Sequence, residues 1–226
     1  MRIRAVATSW TALLLMLAAA PAAAEIYGDV HVGVTDRSNV SGGDDGPGDT
    51  VRTLRATLGA HFDVEQRGRL TLQGDFERER YGDFGGLDND GLVLSARYRH
   101  PLGTGTRSPW LRLDAAVGAR EYDDAARDTG RARAGAGVVF PLGRALELDA
   151  GYAIERSAAE DAVFDSTVQE AALELRADAG PRLSGWARLA AATGDTAITA
   201  PTSAELEAAA EESAPDPVFG PGFTAY

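Results

Sequence analysis

Nine stretches of this chain alternate apolar and polar residues with a period of two. That pattern confines the fold to strands, because successive side chains of a strand point to opposite faces, whereas a helix needs its apolar positions three and four apart. In residues 25–34 the even positions are Ile26, Gly28, Val30, Val32 and Val34, with Glu25, Asp29 and His31 between them. The pattern returns over 53–64, 69–80, 91–102, 110–122, 131–142, 145–156, 167–178 and 182–192. In 110–122, Leu111, Leu113, Ala115, Val117 and Ala119 oppose Arg112, Asp114 and Arg120. All nine segments are long enough to cross a membrane, since a tilted strand spans the hydrocarbon with about 9–11 residues.

The connections alternate as well. Links at 34–52, 81–90, 123–130 and 157–166 are long and acidic, those at 65–68, 141–144 and 179–181 are tight, and 103–109 is intermediate. Long loops on one side and short turns on the other are the layout of a transmembrane barrel, and here they place the N-terminus on the periplasmic side. With those strand directions Phe62, Tyr98 and Phe140 fall near one interface and Phe76 and Tyr152 near the other, as two sparse aromatic girdles.

The first residues set the compartment. Arg2 and Arg4 form a positive n-region, 10–20 an apolar h-region and 21–24 a small-residue cleavage site, so 1–24 is read as a signal peptide and Glu25 as the first mature residue. The apolar run is short of the roughly 20 residues of a spanning helix. There is no Cys, so the fold does not rely on disulfides. Of 22 basic residues, all Arg, 20 follow the leader, and 34 acidic residues give the mature chain a formal charge of −14. That balance argues against nucleic acid as a partner.

The polar face carries about as many arginines as carboxylates, and neighbouring segments present opposite signs, which favours cross-strand pairs. The expected network contains Arg55, Asp75, Glu77, Arg97, Arg99, Arg112, Asp114, Arg131, Arg133, Glu147, Asp149, Glu170, Glu174 and Arg188. A charge-balanced face suits the lumen of a narrow membrane barrel, filled by Arg–carboxylate pairs, and the net negative charge then lies in the loops. Glycines in runs such as "GAGV" are expected to relieve crowding where the sheet bends or where Arg fills the lumen. A soluble barrel alternates too, with its apolar face turned inward.

Segments such as "LRLDAAVGAREY" and "ALELDAGYAIER" resemble strands of the small outer-membrane β-barrel proteins of Gram-negative bacteria, broadly the OmpA/OmpW-like barrel superfamily. The resemblance covers about 25–192 and rests on pattern without a diagnostic motif. It implies an all-β, antiparallel up-and-down transmembrane barrel in the outer membrane, inserted by the barrel-assembly machinery and surrounded by lipid and lipopolysaccharide. About ten strands are expected, with eight and twelve as the neighbouring even counts. An even antiparallel barrel needs a tenth strand near 218–226, where Tyr226 supplies a terminal aromatic but Pro217 and Pro221 would each remove a ladder donor. Residues 25–226 then form one domain, with an acidic, Ala-rich loop at 194–216 in which 203–213 could make a short helix.

No catalytic constellation emerges. "YRHPLG" superficially resembles the His-x-Ser arrangement of outer-membrane lipid A deacylases with His100 as base, but Leu102 stands where the nucleophilic Ser is needed. His31 and His61 read as structural partners, and no long loop contains a His, as an omptin-type surface protease would require. "DNDG" at 88–91 is only part of a calcium-loop signature. Acidic loops holding Asp44, Asp45, Asp49, Asp123 and Asp124 would attract divalent cations loosely. No enzyme activity, cofactor or fixed metal is expected. The favoured reading is a structural or surface-binding barrel with acidic loops and a plugged lumen. A narrow passive channel and a soluble periplasmic ligand-binding barrel stay open beside it.

Overall fold

The structure is a computed structural model that describes residues 24–40, 47–64, 67–105, 107–178, 180, 184–195, 199–201, 214–219 and 223–225. The leader up to residue 23 and the short helix expected over 203–213 lie outside the described residues.

Each alternating segment becomes one strand: β1 Glu25–Arg37, β2 Asp49–Val64, β3 Gly68–Tyr81, β4 Asn89–Pro101, β5 Trp110–Tyr122, β6 Thr129–Pro141, β7 Leu146–Ala159, β8 Ser166–Asp178 and β9 Ser184–Gly194. They pair in sequence order, every neighbour antiparallel, as one nine-stranded up-and-down sheet. The strands outrun the alternation chiefly at the long-loop end. Thr35, Asp36 and Arg37 still pair with Val51, Thr50 and Asp49, because backbone hydrogen bonding continues after the apolar pattern stops.

The sheet curls with its polar face inside. Side chains of that face bond across an intervening strand, Tyr27 Oη donating to Gln73 Oε1 at 2.7 Å (β1 to β3) and Arg112 pairing with Asp149 at 3.1 Å (β5 to β7). Much of the apolar face is exposed and part of the charged face is buried, although Leu92 on the apolar face is only 5 % exposed. Glu79 and Asp149 are 3 and 5 % exposed, while Val32 and Leu189 on the apolar face are 73 and 72 % exposed. The curl is not closed: β1 and β9 are its two edges.

The C-terminal segment departs from the expected tenth strand. Phe223–Ala225 (β12) lies between Thr199–Pro201 (β10) and Ala214–Pro215 (β11) in a separate three-stranded sheet, and Pro217–Phe219 is a 3₁₀ turn. The physical reason is the one the prolines announce: a segment with Pro217 and Pro221 cannot sustain a membrane-length ladder. It packs instead on the long-loop end, where Phe219 meets Phe84 at 5.1 Å and the Arg127 guanidinium bonds the buried Asp216. The backbone of Gly86 comes so close to Val218 that a Cβ there would stand 2.8 Å from Cγ2.

Candidate functional site

Two features could carry function: the charged concave face and the long-loop end. Register turns the face into rows. One row runs His61, Thr71, Arg97, Asp114, Gly135, Ala153, Glu170 across β2 to β8, and another runs Asp63, Arg69, Arg99, Arg112, Gly137, Gly151, Ala172. Oppositely charged residues stand directly across from each other at Arg55 and Glu77, Arg97 and Asp114, Arg133 and Glu155, and Glu147 and Arg176. Each of these pairs forms: Arg55 bonds Glu77, Arg97 reaches Asp114 at 2.6 Å, Arg133 reaches Glu155 at 3.4 Å and Arg176 reaches Glu147 at 3.5 Å.

Longer links tie the strands across the curl. Arg120 on β5 reaches Glu77 on β3 at 2.8 Å, and Glu170 on β8 accepts from Arg188 at 2.5 Å and stands 3.8 Å from Arg133. Arg112 holds Asp114 at 3.2 Å and Asp149 at 3.1 Å. To reach β7 its side chain crosses Gly137 and Gly151, where a Cβ would sit 2.9 and 2.6 Å from Nη2, so glycine is what lets this arginine lie flat on the sheet.

The expected network is thus assembled in large part, with three departures. Asp75 accepts from Thr57 Oγ1 at 2.8 Å and from Gln73 Nε2 and pairs with no arginine among the described residues. Glu174 faces Arg188 in register, yet bonds Arg176 of its own strand at 2.5 Å, because Arg188 turns to Glu170. Arg99 and Arg131 lie on the concave face without an ion pair among the described residues; Nε of Arg99 is buried and unpartnered. Arg120, Glu155 and Arg176, outside the expected set, join the network. The side chains also leave space: a cavity of about 450 Å³ spans β3 to β9, and a second of about 240 Å³ lies nearer the loops between Asp75, Glu77, Arg120 and Arg131.

The long-loop end is built from a repeated knuckle. A 3₁₀ turn follows β3, β5 and β7 at Gly85–Leu87, Ala125–Arg127 and Ala162–Phe164, and Asp88, Asp128 and Asp165 close them. Each of these carboxylates accepts from the last residue of the preceding strand: Tyr81 N at 2.7 Å, Tyr122 N at 2.6 Å and Ala159 N at 2.6 Å. Each later knuckle also bonds back to the one before. Asp123 N and Asp124 N donate to Asp88 O and Gly86 O, and Glu160 N and Asp161 N donate to Asp128 O and Ala126 O. An aspartate followed by Asn, Thr or Ser at 88–89, 128–129 and 165–166 is the sequence signal for this repeat.

At the first knuckle Asp49 plays the receiving part. Its carboxylate accepts from the backbone N–H groups of Thr50, Gly82, Asp83 and Phe84 at 2.6 to 3.1 Å. Burial alone would raise its pKa, but the four donors outweigh that and hold it below the usual carboxylate range. Asp49 and Asp124 therefore spend their oxygens on the protein, Asp124 accepting from Ala126 N and standing 3.6 Å from Arg127; Asp44 and Asp45 lie outside the described residues. In the "DNDG" segment Asp88 closes its knuckle and Asp90 is gripped by Arg78 and Arg80. Among the described residues no group of three metal-type ligands converges.

Two of the three histidines have local partners. His61 Nδ1 lies 2.9 Å from Thr71 Oγ1 and its ring stacks on Tyr27 at 4.7 Å, while His100 Nδ1 lies 3.1 Å from Tyr98 Oη. Comparison with known proteins finds no match: no family model, no curated protein and no solved structure aligns with this chain.

Proposed function

We propose that this chain is an outer-membrane β-barrel protein of a Gram-negative bacterium, exported with its leader, and that it serves a structural or surface-binding role through its acidic loop end. One observation carries the reading: the large apolar side chains face outward and the charged ones inward. A water-soluble barrel of these strands would bury the opposite face, whereas hydrocarbon is the solvent in which an exposed band of Val, Leu and Ile has no cost. Closure across the seam belongs to the proposal. Because β1 and β9 run in the same direction, a direct join between them is parallel, as in the odd-stranded mitochondrial barrel. The experiment is fractionation of the expressed protein followed by gel mobility with and without boiling. A detergent-dependent, heat-modifiable band supports the proposal, and release into the periplasmic fraction overturns it in favour of a soluble carrier.

A narrow passive channel is the second reading, favoured by the two cavities left among the concave-face side chains. A steady ohmic current in planar bilayers would select it over the plugged barrel, since a filled lumen of this size conducts little.

A further inference from the structure

We infer that the concave face holds an oxyanion site centred on Arg99, which takes a phosphate group. Arg69, Arg99 and Arg112 stand side by side on β3, β4 and β5, each the direct cross-strand partner of the next. Like charges so placed repel, and a sheet tolerates them when counter-charges separate them. Two of the three have such counter-charges: Arg69 stands 3.6 Å from Asp63, and Arg112 lies between Asp114 and Asp149.

Arg99 has none. Besides its cross-strand neighbours Arg69 and Arg112, the charges Arg97, Arg176 and Glu147 act on it. Of these only Glu147 is negative, and it is held by Arg176 at 3.5 Å. Arg97 is likewise committed to Asp114 at 2.6 Å. What remains is a guanidinium whose buried Nε, like that of Arg112, finds no hydrogen-bond partner; it is flanked in register by Arg69 and Arg112, and its neighbours Arg97 and Arg112 line the 450 Å³ cavity. A buried donor left unmade is costly. The ligand that fits is an oxyanion, because the flat fork of a guanidinium meets two oxygens of a phosphate at once and the neighbouring cations add attraction.

The site depends on the concave face alone and stands whether or not the convex face meets lipid, so its test is separable from that of the proposed function. The purified protein, in detergent or in buffer according to how it fractionates, is titrated with inorganic phosphate against chloride at matched ionic strength. Equilibrium dialysis should give saturable binding near one phosphate per chain, and the thermal midpoint should rise with phosphate and not with chloride. Arg99→Gln should weaken binding about tenfold or more, the loss of charge-assisted hydrogen bonds. Arg131→Gln, which removes the other concave-face guanidinium without an ion pair among the described residues, should leave binding intact. If Arg99→Gln does not fold, Arg99→Lys serves instead, keeping the charge while losing the fork, with weakened binding again expected. Unsaturable or chloride-equivalent binding in the wild type, or equal binding in the Arg99 variant, overturns the inference.

Discussion

An arginine placed at the middle of the convex face separates a lipid-facing sheet from a water-facing one by sign and by depth. Val117 lies mid-strand in β5, and Ile26 is the second residue of β1 at the turn end; both are 59 % exposed. If water covered this face, equal exposure would mean equal tolerance, and each substitution to Arg would change stability by no more than about 0.5 kcal/mol. If hydrocarbon covers it, Val117→Arg puts a charge near the midplane and costs about 2–4 kcal/mol, while Ile26→Arg, near the interface, costs about 0–1 kcal/mol. The larger figure corresponds to roughly a 30- to 900-fold change in the folding equilibrium. Urea unfolding of both variants refolded into lipid vesicles, followed by tryptophan fluorescence, reads the difference. Costs for the two positions that agree within about 0.5 kcal/mol would refute the assignment of the convex face to lipid.

Three further outcomes are expected. Asp149→Ala removes a 5 % exposed carboxylate from the largely buried Arg112 and should cost on the order of 3 kcal/mol in denaturant unfolding, against under about 1 kcal/mol for Arg55→Ala, whose side chain is half exposed. Asp128→Ala should release the Tyr122 amide, with loss of about 1.5–3 kcal/mol of local protection in hydrogen exchange while amides mid-strand in β5 keep theirs. Asp49 titrates below its unfolded value near 3.8. The stability it adds is therefore present above that pH and lost as pH falls through the lower folded pKa, so Asp49→Asn should flatten the acid limb of a stability profile.

The period-two pattern made all nine strands legible, and with them the face on which each charge lies. It did not make register legible. Which arginine meets which acid depends on how the connections offset one strand against the next, so the direct pair Arg97 and Asp114 could be guessed from neighbouring strands, while the choice of Arg188 for Glu170 over Glu174 could not. The same ignorance of register concealed that Arg99 falls between two other arginines. Of the two uses expected for glycine in "GAGV", a bend in the sheet or room for an arginine, Gly137 serves the second, since Arg112 crosses it. The knuckles leave no periodic trace in the sequence. Alternation ends where the strands do, and an Asp that caps a turn looks in sequence like any solvated acid. At the C-terminus the prolines pointed away from a tenth strand, but nothing local to 214–219 announced that Asp216 and Phe219 would find Arg127 and Phe84.

The backward bonds of the loop knuckles have an architectural consequence. Asp123 and Asp124 refer to the loop before them, and Glu160 and Asp161 repeat the same reference one loop on. The unit of construction is consequently the hairpin with its knuckle and not the single strand. A sheet assembled from such modules can gain or lose one by duplication or deletion and keep its inside and outside, the direction of both edges and the seat of the C-terminal cap. A change of one strand would turn an edge around and carry the cap to the opposite end.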